Sequence, residues 1–451
     1  MEQNKLETGS VGKLLVSLSL PMICAQLVTL LYNVVDRMFI GQMENGTLAM
    51  AGIGVSGALV MVIGGFSQLF GAGGAPLAAI SMGKKDNESA ERIMTASFTC
   101  LVLTAVVITV VFPFVSAPVL RLFGASDEVL PDALDYCGVY CLGTVFVEIT
   151  LGMNAFINTQ GFARTGMATV MVGAALNIAL DPLFIFVLGM GVKGAAWATV
   201  ISQGVSGVWV LAFLFGKKST LHIRREFLLP KAKIVGQIMK LGLSPFFMEV
   251  SESAMLACFN NQLLRFGGDL AVGSMTILFS LLDFIYLPIS GISKGAQPIL
   301  SYNYGAGNYD RVRKTLRLSL IVGTGFSLAG ALLMMVFPRP FIAMFTSDTE
   351  LLRTASRMLP IYIAGNCVLG ANTIFQQSYN ALDEGVKSFC FAFFRKMVLL
   401  IPLLYILPAA FPQWGVMSVV LAEPVSDFLT TCANSVVFSR FIRKKVPKIF
   451  R

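Results

Sequence analysis

Long apolar runs alternate with short polar segments through the whole chain, at 14–40, 51–72, 92–115, 133–156, 167–188, 194–215, 236–264, 271–292, 315–338, 355–379, 389–411 and 415–438. A run of about 20 apolar residues crosses the roughly 30 Å hydrocarbon core of a bilayer as a helix. The pattern therefore predicts an all-α integral membrane protein of twelve transmembrane helices. The first run follows a polar start, MEQNKLETGS, and is too long for the core of a cleavable signal. It is expected to remain as the first helix.

Composition agrees with that reading. Hydrophobic residues make up 55% of the chain and charged residues 13%, where soluble domains carry about 25% charged. The net charge of +9 is distributed unevenly between the two sets of loops. Basic residues crowd one set, from Lys84 and Lys85 through Lys217 and Lys218 to the tail from Arg440 to Lys448 and Arg451. The opposite loops hold only Arg37, Arg121, Lys193, Arg265, Arg339, Arg353 and Arg357. The positive-inside rule then places both termini in the cytoplasm of a multi-pass cell-membrane protein. The excess charge is a topology signal, and no nucleic-acid partner is expected.

The two halves repeat each other at a spacing near 222 residues. LSLPMI around Pro21 answers LGLSPFF around Pro245, and GGAPLAAISMGKKD at 73–86 answers GAQPILSYNYGAGN at 295–308. Phe112-Pro113 answers Phe337-Pro338, ASD at 125–127 answers TSD at 346–348, and Asn154 answers Asn372. Six spans per half make this a parallel repeat of two six-helix lobes, 1–225 and 226–451, joined by the basic loop from Lys217 to Lys240. A substrate path is expected where such repeats meet.

The order of these features resembles the multidrug and toxic compound extrusion (MATE) family over essentially the whole chain. The likeness is carried by PMICAQLVTLLYNVVDRMFIG in the first helix, NIALDPLFIFVLGMGVKGAAWAT across helices five and six, and the duplicated G-x-P segments, read as loops. The resemblance implies two lobes flanking a central cavity, and antiport of amphipathic organic cations against sodium ions or protons. It also implies that Pro21 is where the first helix can bend during transport. Proline frees the carbonyl of Ser17, which makes a bend there cheap.

Asp36, Asn177, Asp181 and Thr199 form the most informative polar set, because an ionised aspartate inside a span costs about 2.5–3.5 kcal/mol. Counted from their helix ends, Asp36, Asp181 and Thr199 lie at a similar depth, and Asn177 and Asp181 share a face at i, i+4. Their oxygens suit a proton or a small hard cation such as sodium. The matching family positions carry cation coupling. The repeat partners of Asp36, Asn177 and Asp181 are Asn260, Lys396 and Leu400, so coupling is expected in the first lobe alone. Tyr32, Asn154, Asn158, Gln203 and Glu252 are candidates for the cavity wall. Among the second-lobe acids Glu249, Glu252, Asp283, Glu423 and Asp427, the last is as suited to pairing with Arg395 or Lys396 as to transport.

Enzymatic chemistry finds little support. His222 is the only histidine, and the eight cysteines are scattered, with Cys137 and Cys141 read as packing residues on one helix face. No cofactor is expected. A lipid or lipid-linked oligosaccharide flippase is the alternative, but it would want arginines in the cavity for anionic phosphates. The expected partners are cationic amphiphiles and membrane lipid, with the chain acting as a monomer.

Overall fold

The computed structural model describes residues 2–43 and 45–446, so Lys448 and Arg451 of the basic tail lie outside the described residues. Among these residues all regular structure is helical. A short helix, Glu2–Thr8, precedes α1 (Val11–Gly41), α2 (Leu48–Gly83) and α3 (Asn87–Leu122). α4 is a bent pair, Leu130–Leu142 with Thr144–Thr159, followed by α5 (Ala163–Val187) and α6 (Gly191–Phe215). The 74-residue helix Ala232–Gly305 breaks at Gly268, whose φ of 63° suits only a residue without Cβ, and supplies α7 and α8 on either side. α9 (Tyr309–Val336), the bent pair α10 (Thr349–Ile363 with Asn366–Ala381), α11 (Gly385–Ala410) and α12 (Val416–Lys445) complete twelve spans. The bends of α4 and α10 occupy matching places in the two halves, at 62° and 46°.

The G-x-P segments are not loops. α2 continues through Pro76 to Gly83, and α8 continues through Pro298 to Gly305. Proline removes a backbone donor, and α2 accommodates the loss by widening to π geometry at Gln68–Ala72, just before it. The glycines serve close helix crossings instead of a turn. A Cβ on Gly73 would stand 2.8 Å from the Gly242 nitrogen, and one on Gly295 would stand 2.6 Å from the Ser19 Cα. The matched Phe-Pro pairs also diverge: α3 runs unbroken through Pro113 to Leu122, whereas α9 ends at Val336 and Pro338 opens a new short helix.

The chain forms two compact units. One comprises the chain up to Gly9 and Leu20–Val250; the other comprises Ser10–Ser19 and the chain from Ser251 onward. Pro21 therefore lies just past the point at which α1 passes from one unit to the other. The first unit has a core around Ile40, Ile63, Phe112, Val147 and Ala196. The second is built around Phe259, Leu278, Ile285, Met358 and Leu400. Large apolar side chains such as Phe114, Leu122 and Val187 remain exposed, as lipid-facing positions require.

The loop after α6 is fastened to the first unit. Gln160 Oε1 accepts from Ser219 Oγ at 3.0 Å, from the Thr220 amide and hydroxyl at 2.7 and 2.8 Å, and from the Leu221 amide at 3.1 Å. Glu91 of α3 accepts from the His222 amide at 3.1 Å and from the Arg224 side chain.

Candidate functional site

Three helices of the first unit bring the predicted set together. α1 presents Asp36 in its last turns before Gly41, and α5 presents Asn177 and Asp181 one turn apart. α5 then leaves α geometry at Leu183–Val187, directly after Pro182. α6 packs closely on that segment, because a Cβ on Gly194 would stand 2.7 Å from the Phe184 carbonyl. This seats Thr199 opposite Asn177. Asn177 Nδ2 donates to Asp181 Oδ1 at 3.3 Å and to Thr199 Oγ1 at 3.4 Å, while Thr199 donates to the Ala195 carbonyl at 3.1 Å.

The carboxyl groups of Asp36 and Asp181 approach within hydrogen-bonding range of each other. Neither can donate unless one carries a proton, so the pair calls for a shared proton or an interposed cation. Asp36 Oδ1, Asn177 Oδ1 and Asp181 Oδ2 are buried with no hydrogen-bond partner among the described residues. The Arg37 charge reaches Asp36 from an exposed position. These are acceptor oxygens without donors, an arrangement suited to binding a proton or a hard monovalent cation.

Two tyrosines missing from the sequence reading join this group. Tyr136 of α4 lies within the field of Asp36, and it stacks on Tyr140 at 5.9 Å between ring centroids. Their i, i+4 spacing was the available signal. Tyr32 also lies within the field of Asp36. Asn154 and Asn158 do not reach the group; both face Gly166 of α5, with Asn154 Nδ2 donating to its carbonyl at 3.2 Å. The Gln203 carbonyl accepts from Thr150 Oγ1 at 3.0 Å, and its Oε1 is buried without a partner among the described residues. Glu148 of α4, also missed, is a fully buried acid that accepts from Ser67.

In the second unit Glu252, Glu423 and Asp427 are held by bases. Arg395 bonds Asp427 at 2.6 Å and Glu423 at 2.7 Å, and Lys396 bonds Glu252 at 2.6 Å. Both bases lie in a π segment of α11, Phe394–Leu400. Asp283 lies near enough to Glu252 to feel its charge.

Twelve apolar helices among the described residues, with a buried carboxyl pair in one unit and ion-paired acids in the other, suit a membrane transporter. The MatE family profile matches residues 21–183 and 245–406, one stretch in each half. The multidrug export protein MepA of Staphylococcus haemolyticus is 27% identical over 444 residues, covering 98% of this chain and 96% of that protein. Its namesake in Staphylococcus aureus is 26% identical over 420 residues, with 92% of each chain covered. The fold also superimposes on an outward-facing multidrug resistance MATE family transporter with a TM-score of 0.90, at 23% identity and 98% coverage of both chains. The chain belongs to the MATE family and is a transporter, not an enzyme.

Proposed function

We propose that this chain is a multidrug efflux antiporter that exports amphipathic organic cations across the cell membrane in exchange for protons or sodium ions. The relatives named as multidrug export proteins support the export of drugs. The observation that carries the coupling reading is the contact between the Asp36 and Asp181 carboxyls. Thr199 holds Asn177, Asn177 orients Asp181, and the unpartnered oxygens supply the remaining ligands for a cation. One monovalent cation entering down 100 mV supplies about 2.3 kcal/mol. That energy drives export only if substrate release is tied to cation binding, and the carboxyl pair provides the tie. Tyr32, Gln203, Asn154, Asn158 and Glu252 are proposed to meet the substrate, Pro21 to act as the hinge of α1, and both termini to face the cytoplasm.

A flippase for lipid-linked phosphates would want arginines free to grip an anion. Arg395 is instead engaged by Glu423 and Asp427, which favours the cation exporter.

Ethidium efflux from proteoliposomes, with sodium and proton gradients imposed separately, tests the reading. Asp36→Asn and Asp181→Asn should each reduce gradient-driven efflux to background while leaving insertion intact. Thr199→Val should cost roughly fivefold, about 1 kcal/mol for one neutral ligand. Asn260→Ala, at the repeat-related position of the second half, should transport normally. Normal efflux by both aspartate variants would place coupling elsewhere.

A further inference from the structure

Two helices of the first unit leave α geometry where they cross. α2 widens at Gln68–Ala72, directly after Ser67, and α4 widens at Ile149–Met153, directly after Glu148. The two π segments pack on each other, so close that a Cβ on Gly71 would stand 2.5 Å from the Gly152 Cα. At this crossing the Ser67 hydroxyl donates to Glu148 Oε2 at 3.1 Å. Glu148 is 0% exposed, and its Oε1 has no hydrogen-bond partner among the described residues. π segments are rare and gather at functional sites.

We propose that Glu148 is a second proton-binding residue of the transport cycle, buried where α2 and α4 cross in the same unit as the Asp36–Asp181 pair. This rests on the coupling reading above. An ionised carboxylate buried with one neutral donor costs several kcal/mol of desolvation, so the site suits a neutral acid that ionises only in passing. The side chain that bonds Glu148 is Ser67 from α2. α3 and α6 pack against the same turn, and among the described residues they bring no lysine, arginine or carboxylate to bear on it.

The local geometry accepts both protonation states. Ser67 Oγ also lies 3.5 Å from the Ile63 carbonyl. When Glu148 is ionised, the serine proton points at Oε2. When Glu148 is protonated, its carboxyl donates to Oγ and the serine turns its own proton to Ile63. No helix has to move.

Infrared difference spectroscopy of the full chain in lipid, acid minus alkaline, reads the C=O stretch of protonated carboxyls. A band lost in Glu148→Gln, shifted in Ser67→Ala and retained in Asp36→Asn is expected. In proteoliposomes Glu148→Gln should slow ethidium efflux driven by a proton gradient about tenfold or more and flatten its pH profile. Glutamine keeps the acceptor for Ser67, so a merely structural tie would leave rate and profile unchanged. Absence of a Glu148-dependent band, or a wild-type rate and pH profile in Glu148→Gln, overturns the proposal. Efflux surviving in Asp36→Asn would overturn the coupling reading alone, since the Glu148 band is read without transport.

Discussion

Arg395 is largely buried and holds two carboxylates at once. Removing it leaves Glu423 and Asp427 facing each other without a cation, and breaking a buried pair in this way costs roughly 3–5 kcal/mol. Lys396 differs because its partner Glu252 is 49% exposed and can regain water. Arg395→Met should therefore lower the thermal unfolding midpoint in detergent well beyond Lys396→Met. The reverse order would show that solvent access does not rank these pairs. At this scale the sequence exposes what spacing and depth can encode. Asn177 and Asp181 share a helix face by their four-residue interval, and Asp36 and Thr199 join them by distance from their helix ends. Glu148 has no such partner within its own span. Its significance comes from Ser67, 81 residues away in sequence, which only packing reveals.

Among the elements, the connection from α10 to α11 carries a small charge cluster. Glu384 bonds Lys387 at 2.7 Å and Lys445, at the end of α12, at 3.1 Å. Partial burial pushes its carboxyl up, but the bonds and charges of the two lysines outweigh that and hold it below the usual carboxylate range. A carboxyl lowered in the folded state stabilises fully above its unfolded pKa, and the contribution disappears as pH falls through the folded value. Acidification through the carboxylate range should thus loosen the end of α12. The protection of amides near Lys445, measured against the slower intrinsic exchange at low pH, should fall on acidification in the wild type, and Glu384→Gln should remove that fall. An equal response in both would dismiss Glu384 as the fastening. The existence of every span is legible from apolar length. The helical G-x-P segments are not, because glycine and proline mark turns in water-exposed chain, whereas here they permit tight crossings and a π segment absorbs the lost hydrogen bond.

At the scale of the whole molecule, the internal repeat and the loop charges carry most of what the order of amino acids makes legible. The spacing near 222 residues predicts two like halves, and the MatE profile matches a stretch in each. The exchange of Ser10–Ser19 into the second unit leaves no such trace, since apolar residues of α1 look alike whichever unit they pack on. Orientation rests on charge alone, and it can be tested directly. With twelve spans the loops around Asp127 and Asp348 fall on the side opposite the loop around Lys218. Asp127 is exposed beside Arg121, and Asp348 caps the first turn of α10 through the Leu351 amide, so labelling sites next to them are accessible without disturbing a span. In a background without the eight native cysteines, single cysteines at Glu128 and Thr349 should react in intact cells with an impermeant thiol reagent. One at Lys218 should react only after permeabilisation if that basic loop is cytoplasmic, as the positive-inside rule predicts. The opposite pattern would invert both halves together and would place the proposed export direction in reverse.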